Sequence, residues 1–238
     1  MASEREARLG ILGGMGPQAT QTFYQQIIDR TDAHCDQEHV PTLIWSDSRI
    51  PDRTAALLEG RGDEVYARLL QDAKLLEAAG CTVMAVPCNT SHYFLDRLQT
   101  ETALPILHML RLTARRIRET GTSKKVGILA TDGTVQMGLY QAACAAEGLD
   151  AITPPPEIQA IVMSIIYDEI KRGEPGSREK FSRVDKCMTA LGCDCVILGC
   201  TELSVFRSTH RLPAFYVDAM EILAEEAIVR CGRPLRNI

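Results

Sequence analysis

Short apolar runs of strand length alternate along the chain with longer stretches whose apolar residues recur at helical spacing. Leu9–Leu12 predicts a first buried strand. Gly13-Gly14-Met15-Gly16-Pro17 is a glycine-rich turn, and Pro17 suits the first position of a helix running to about Thr31. Val40–Ser46 predicts a second strand, and Asp47 to Arg53 a loop turned by Pro51-Asp52. Val65, Leu69, Ala73 and Leu76 mark one face of a helix over Asp63–Ala79. Val83–Val86 predicts a third strand, Cys88 to about Leu98 a turn and helix, and Leu104–Leu107 a short fourth strand.

The pattern then restarts. A helix through Leu112–Thr120 leads to a strand over Lys125–Ala130, the turn Thr131-Asp132-Gly133-Thr134, and a helix that carries Tyr140 and ends near Gly148. Beyond Pro154-Pro155-Pro156, helices are expected over Ile158–Arg172 and Ser177–Leu191. A strand into Cys200, a last strand over Pro213–Val217 and a closing helix over Ala219–Cys231 complete the series. Strands alternating with helices imply parallel sheets covered on both faces. The expectation is an α/β fold of two pseudo-symmetric, three-layer domains with parallel sheets and the active site in the interdomain cleft. One lobe spans 1–108 plus 214–238 and carries Cys88; the other spans 109–213 and carries Cys200.

The doubling is sharpest around two cysteines. Gly80-Cys81-Thr82-Val83-Met84-Ala85-Val86-Pro87-Cys88 and Gly192-Cys193-Asp194-Cys195-Val196-Ile197-Leu198-Gly199-Cys200 align without a gap at an offset of 112 (200 − 88). Gly10-Ile11-Leu12 and Gly127-Ile128-Leu129 repeat at 117 (127 − 10). Each cysteine stretch is an apolar strand ending on a thiol and small polar residues. Ligands of open α/β sheets bind at the carboxyl ends of parallel strands. Two such ends, each with a thiol, predict half-sites facing one another across a cleft.

Composition narrows the function classes. The 238 residues are 45% hydrophobic and carry a net charge of −5, with acids and bases interspersed. No basic run offers a phosphate-binding face, which argues against a nucleic-acid partner. The apolar runs fall far short of the roughly 20 residues that span a bilayer, so no membrane partner is expected. The apolar run after the charged start stops at the glycine turn, too short for an export signal. The nine cysteines therefore belong in a reducing cytoplasm, and their odd number fits a disulfide framework poorly.

Taken singly, a cytosolic cysteine is most often a buried structural thiol. Position changes that reading for Cys88 and Cys200. Pro87 fixes the backbone before Cys88, and Asn89, Thr90 and Ser91 follow it; Gly199 precedes Cys200, and Thr201 and Glu202 follow. A helix N-terminus lowers a thiol's pKa, which makes a usable base or nucleophile. Cys81, Cys144, Cys187, Cys193 and Cys195 keep the structural reading. Cys193-Asp194-Cys195 lacks zinc spacing, and Cys88 with His92 has no second ligand pair, so no metal is expected. The glycine turn departs from the dinucleotide fingerprint but supplies backbone N–H groups for a carboxylate. Arg53 is suited to fork onto a carboxylate, whereas Lys171 alone reads as a charge complementing a helix end.

Together the segments Gly10–Pro17, Asp36-Gln37-Glu38-His39, Ile50-Pro51-Asp52-Arg53-Thr54, Pro87-Cys88-Asn89-Thr90, Leu129–Thr134 and Gly199-Cys200-Thr201-Glu202 resemble the aspartate/glutamate racemase family. The resemblance covers nearly the whole chain and is greatest to the cofactor-independent aspartate racemases. It implies an isomerase that racemises aspartate with neither pyridoxal phosphate nor metal, and a homodimer. It makes Cys88 and Cys200 the catalytic acid/base pair. It also implies that Arg53 and Lys171 bind the side-chain carboxylate. Met15, Asn89, Thr90, Thr131, Gly133, Thr134, Thr201 and Glu202 complete the substrate-binding set, with His92 and Glu202 as candidates to tune the thiols.

The physical account agrees with that implication. Racemisation removes a proton from one face of Cα and returns one to the other, which suits two opposed thiols titrating as a coupled pair. The dianionic character that develops calls for pre-oriented donors and nearby cations, so a chain of negative net charge must make its cleft locally positive for a small dicarboxylic amino acid. Glutamate or broader amino-acid specificity is the alternative within the class. A non-catalytic binder of small carboxylates is the alternative outside it; hydantoin racemisation or decarboxylation is a third, although decarboxylating relatives typically keep one cysteine and this chain keeps both.

Overall fold

A computed structural model describes residues 7–237; the expected lobes also include residues 1–6 and 238, which lie outside the described residues. The first half runs β1 (Leu9–Gly13), α1 (Pro17–Arg30), β2 (Thr42–Ser46), α2 (Arg53–Leu58), α3 (Gly62–Ala78), β3 (Val83–Ala85), α4 (Leu95–Gln99) and β4 (Ile106–Leu107). The second half runs α5 (Met109–Thr120), β5 (Lys125–Ala130), α6 (Asp132–Gln136), α7 (Leu139–Ala146), β6 (Asp150–Ile152), α8 (Pro156–Ser164), α9 (Arg178–Ala190), β7 (Cys195–Gly199), α10 (Thr201–His210), β8 (Tyr216–Asp218) and α11 (Ala219–Arg230).

The strands form two parallel four-stranded sheets of matching order, β2-β1-β3-β4 and β6-β5-β7-β8. In each, the chain leaves the first strand to one side and returns to the other. The crevice between β1 and β3, or between β5 and β7, is therefore a topological switch point, the usual ligand position in such sheets. Cys88 and Cys200 follow β3 and β7, one at each switch.

Successive strand residues point to opposite faces, and the core divides accordingly. Ile11, Ile128 and Ile197 face a central core shared by both halves and filled by α1, α5, α7 and α11. Leu12 and Met84 face an outer core with α3 and α4; Leu129, Val196 and Leu198 face another with α8, α9 and α10. The repeat extends to atomic packing. A Cβ on Gly10 would lie 3.0 Å from Cys81 Sγ, and one on Gly127 would lie 3.1 Å from Cys193 Sγ. Cys81 and Cys193 thus serve as packing thiols under the first strand of each sheet.

Three expectations need correction. Residues 214–218 do not belong with the first lobe: β8 is hydrogen-bonded to β7 with Val217 opposite Ile197, so only α11 beyond it packs on α1 and α5. The stretch expected as loop up to Arg53 gives way at that residue to α2, because Asp52 caps it by accepting from Ala55 N at 2.9 Å. The expected helix over Ile158–Arg172 begins at Pro156, widens to a π turn at Ile165–Glu169 and tightens to a 3₁₀ turn at Ile170–Arg172. Such wide turns recur at functional sites, and this one carries Tyr167 toward the cleft with Lys171 just after it.

Candidate active site

Cys88 and Cys200, each 6% exposed, line one small cavity. Cys200 is the N-cap of α10. Cys88 donates its backbone N–H to Val86 O at 2.8 Å and precedes a 3₁₀ turn over Thr90–Phe94. Each thiol therefore sits where a buried strand ends and a helical turn begins. Met15, Arg53, Asn89, Thr90, Thr131, Lys171, Thr201 and Glu202 line the same cavity.

Around Cys200 the charges interlock. Its Sγ donates to Glu202 Oε2 at 2.9 Å, and Glu202 Oε1 accepts from Lys171 Nζ at 2.5 Å. Burial pushes the Cys200 thiol well above its ordinary range; the Glu202 charge pushes the same way, and Lys171 pulls back. Cys200 therefore rests as a thiol. Burial opposes the Lys171 charge, but the Glu202 carboxylate against it favours the ammonium, and the net shift is upward.

Around Cys88 the arrangement differs. Arg53, 8% exposed, is tied down by three carbonyls: Nη1 donates to Ile50 O at 3.2 Å and Pro51 O at 2.9 Å, and Nη2 to Met15 O at 3.1 Å. Burial disfavours its charge, yet the neighbouring Cys88 and Asp52 more than compensate. Its Nε is buried without a partner, as is Asn89 Nδ2. Asn89 is oriented by Tyr140, whose buried hydroxyl donates to Asn89 Oδ1 at 2.6 Å. A buried donor left unmade is costly, and both of these belong to side chains that line the cavity.

A cluster of threonine hydroxyls stitches the halves together. Thr131 Oγ1 lies 3.1 Å from Thr54, 3.0 Å from Thr90 and 3.2 Å from Thr134, and Thr134 lies 2.9 Å from Thr90. Thr131 also caps α6. Gly133 and Thr134, expected among the substrate contacts, stand behind the wall instead. Thr134 is fully buried in the cluster, and a Cβ on Gly133 would lie 2.9 Å from Thr54 Cα, so Gly133 is the point where α6 and α2 meet backbone to backbone.

His92, expected to tune a thiol, faces the other way. Its Nδ1 lies 2.8 Å from the Cys88 carbonyl oxygen and its Nε2 accepts from Met109 N at 3.0 Å. The ring thus grips backbone rather than sulfur. Cavity-lining residues that sequence reasoning passed over are Asp52, Thr54 and Tyr167. The Tyr167 hydroxyl donates to the Asp52 carboxylate at 3.2 and 3.0 Å, linking the start of α2 to the π turn. A signal was present for Tyr167, which precedes Lys171 by four residues. Among the described residues no cluster of three or more His, Cys, Asp or Glu is able to hold a metal, and no helix is long and apolar enough to cross a membrane. All nine cysteines are free thiols.

Comparison with known proteins follows the same lines. The model of a family described as Asp/Glu/Hydantoin racemase matches residues 12–227. The aspartate racemase structure from Picrophilus torridus is similar with a TM-score of 0.81 at 30% identity, over 97% of this chain and 96% of that one. The broad specificity amino-acid racemase RacX of Bacillus subtilis is 30% identical over 148 residues, 60% of this chain and 63% of that protein. A glutamate racemase from Corynebacterium diphtheriae is 28% identical over 137 residues, 56% of this chain and 49% of that protein. The match thus spans less than two thirds of the length of both of these relatives.

Proposed function

The chain belongs to the Asp/Glu/Hydantoin racemase family, and from that premise we propose that it is an amino-acid racemase interconverting L- and D-aspartate by proton transfer between two cysteines, without pyridoxal phosphate or metal. The observation that carries the proposal is the shared cavity: both thiols line it, together with the guanidinium of Arg53 and the ammonium of Lys171.

In this reading the amino acid lies with its Cα between Cys88 and Cys200. One sulfur, as thiolate, takes the Cα proton, and the other, as thiol, returns a proton from the opposite face. Cys200, resting as a thiol, is poised to give. When it acts as the base instead, its proton passes to Glu202, the carboxylate that already accepts the thiol hydrogen, and Lys171 steadies the thiolate that remains. Charge that builds on the substrate carboxylate during proton removal is met by Arg53 Nε, Asn89 Nδ2 and the nearby hydroxyls. Donors fixed in place before reaction stabilise such charge without reorganising.

Aspartate is favoured by the small cavity and the two cations, and by the likeness to the Picrophilus enzyme. One observation favours a second reading. Lys171 already has Glu202 as counter-ion, so a substrate with a single carboxylate does not leave an uncompensated cation behind. Broad specificity follows from that arrangement, as named for the Bacillus relative. The test is incubation of the purified protein in D₂O with single enantiomers of aspartate, glutamate and neutral amino acids. Cα deuteration and inversion confined to aspartate support the first reading, and exchange across several amino acids supports the second. Exchange with none removes both.

A further inference from the structure

The residue four places after each cysteine reaches to the start of the helix that follows its sheet's edge strand. In the first half that residue is His92, 4% exposed and stacked edge-on against His108 at 4.9 Å between ring centroids. Because Nε2 accepts from Met109 N–H, the single hydrogen of the neutral ring sits on Nδ1 and is donated to the Cys88 carbonyl. Burial keeps the ring neutral, with its pKa pushed down to about 3, and His108 adds to the effect. A continuous chain of hydrogen bonds thus runs from the Cys88 carbonyl through one imidazole to the first residue of α5.

In the second half the corresponding residue, 112 positions on (204 − 92), is Ser204. It is fully buried, its Oγ donates to Asp218 Oδ1 at 2.6 Å, and that oxygen accepts Met220 N at 2.9 Å at the start of α11. The two devices share a place and a purpose but differ in grip. Ser204 holds the helix that Cys200 caps, while the Cys200 carbonyl itself accepts from Leu203 N at 2.9 Å within that helix. His92 holds the carbonyl of the cysteine directly.

We infer that His92 is the positioning residue of the Cys88 half-site, setting the height of that sulfur over the substrate by clamping the Cys88 carbonyl to the N-terminus of α5, with Ser204–Asp218 as its counterpart behind Cys200. This rests on the racemase reading above. A displaced sulfur slows proton transfer at one face of Cα and leaves the other face intact, which separates positioning from general damage to the fold.

The experiment compares His92→Leu and His92→Gln with the wild-type protein, using L- and D-aspartate with hydrogen or deuterium at Cα. Leucine removes both hydrogen bonds; glutamine retains one N–H donor and one carbonyl acceptor. His92→Leu is expected to lower kcat by on the order of 10- to 100-fold with little change in KM, the penalty of a small misplacement. Its primary isotope effect rises for the enantiomer whose Cα–H faces Cys88 and falls for the other, and His92→Gln restores most of the turnover. If His92→Leu does not fold, His92→Gln decides alone, and it must turn over with isotope effects like the wild type. Isotope effects that move together in the two directions, or a glutamine variant as impaired as the leucine one, overturn the proposal. A wild-type protein that exchanges no amino acid removes the racemase reading, and this proposal with it.

Discussion

Cys200 and Glu202 form a direct Sγ–H···Oε2 hydrogen bond of 2.9 Å on the wall of the cavity that Cys88 also lines. Burial and the carboxylate charge both hold the sulfur protonated. Glu202→Gln removes the second of these causes, so the Cys200 thiol is expected to ionise at lower pH than in the wild type. The measurement is the rate of Cys200 alkylation by iodoacetamide against pH, read by peptide mass spectrometry. A midpoint that stays put or moves up contradicts the assignment. Lys171 loses its partner in the same variant, so its carboxylate substrates are expected to bind more tightly even as turnover falls.

Each thiol has its own face of the substrate. Cys88→Ser and Cys200→Ser are each expected to lose racemisation by roughly 10²- to 10⁴-fold, the usual range for a general acid or base. Solvent exchange at Cα with retained configuration is expected to persist for one enantiomer only, and for opposite enantiomers in the two variants. Nuclear magnetic resonance of the Cα signal in D₂O, with chiral analysis of the recovered acid, checks this. Exchange of the same enantiomer by both variants would mean that the sulfurs do not act from opposed faces.

Tyr140 never reaches the cavity wall, yet it fixes which end of the Asn89 amide faces a ligand. Its hydroxyl hydrogen is the partner of Asn89 Oδ1 at 2.6 Å, leaving Nδ2 free. Tyr140→Phe leaves a buried carbonyl oxygen without that donor, at a cost of about 1–3 kcal/mol in stability. KM is expected to rise as the amide rotates, with the change visible in both a denaturation midpoint and steady-state kinetics. A KM unchanged beside the lost stability would separate Asn89 from substrate binding.

Gly133 joins the halves where α6 meets the start of α2. Its missing side chain leaves room for Thr54, whose Cα would stand 2.9 Å from an added Cβ. Gly133→Ala is expected to cost about 1–3 kcal/mol by overpacking and to lower turnover by spreading α6 from α2 beside the threonine cluster. A variant of full stability and full activity would show that the two helices adjust freely there.

How much of this was legible in the chain depended on whether the signal was local. The sheets were, because Leu9–Leu12, Lys125–Ala130 and Cys195–Gly199 are buried apolar runs that pair with little competition. The paired thiols were too, since an offset of 112 repeats with no gap (200 − 88). What escaped was settled by partners distant in sequence. Asp52 reads as a turn residue until its bond to Tyr167, 115 positions away, is seen. Tyr216–Asp218 carries no mark of which sheet has a free edge beside β7. His92 looked like a group aimed at a neighbouring sulfur because four residues separate them in sequence. Which ring nitrogen meets which backbone atom is decided only by where Met109 arrives.

That last geometry makes an acid-stability prediction. His92 and His108 are both shifted below the ordinary value of 6.5, to about 3 and about 4, by burial first and then by neighbouring positive charge from His108 and Arg111, respectively. Unfolded, both rings take up protons as the pH falls through 6.5; folded, they resist until the lower values. The unfolded state therefore binds more protons in the window between, so the stability these rings contribute is fully present above about pH 6.5 and is lost as the pH falls toward 3. His92→Gln has no ring to protonate in either state. Its urea midpoint, followed from pH 7 to pH 4, is expected to fall less steeply than that of the wild type, with carboxylate titration cancelling in the comparison. Parallel curves would mean that the imidazole titrates alike folded and unfolded, which is incompatible with a neutral ring held between Cys88 O and Met109 N.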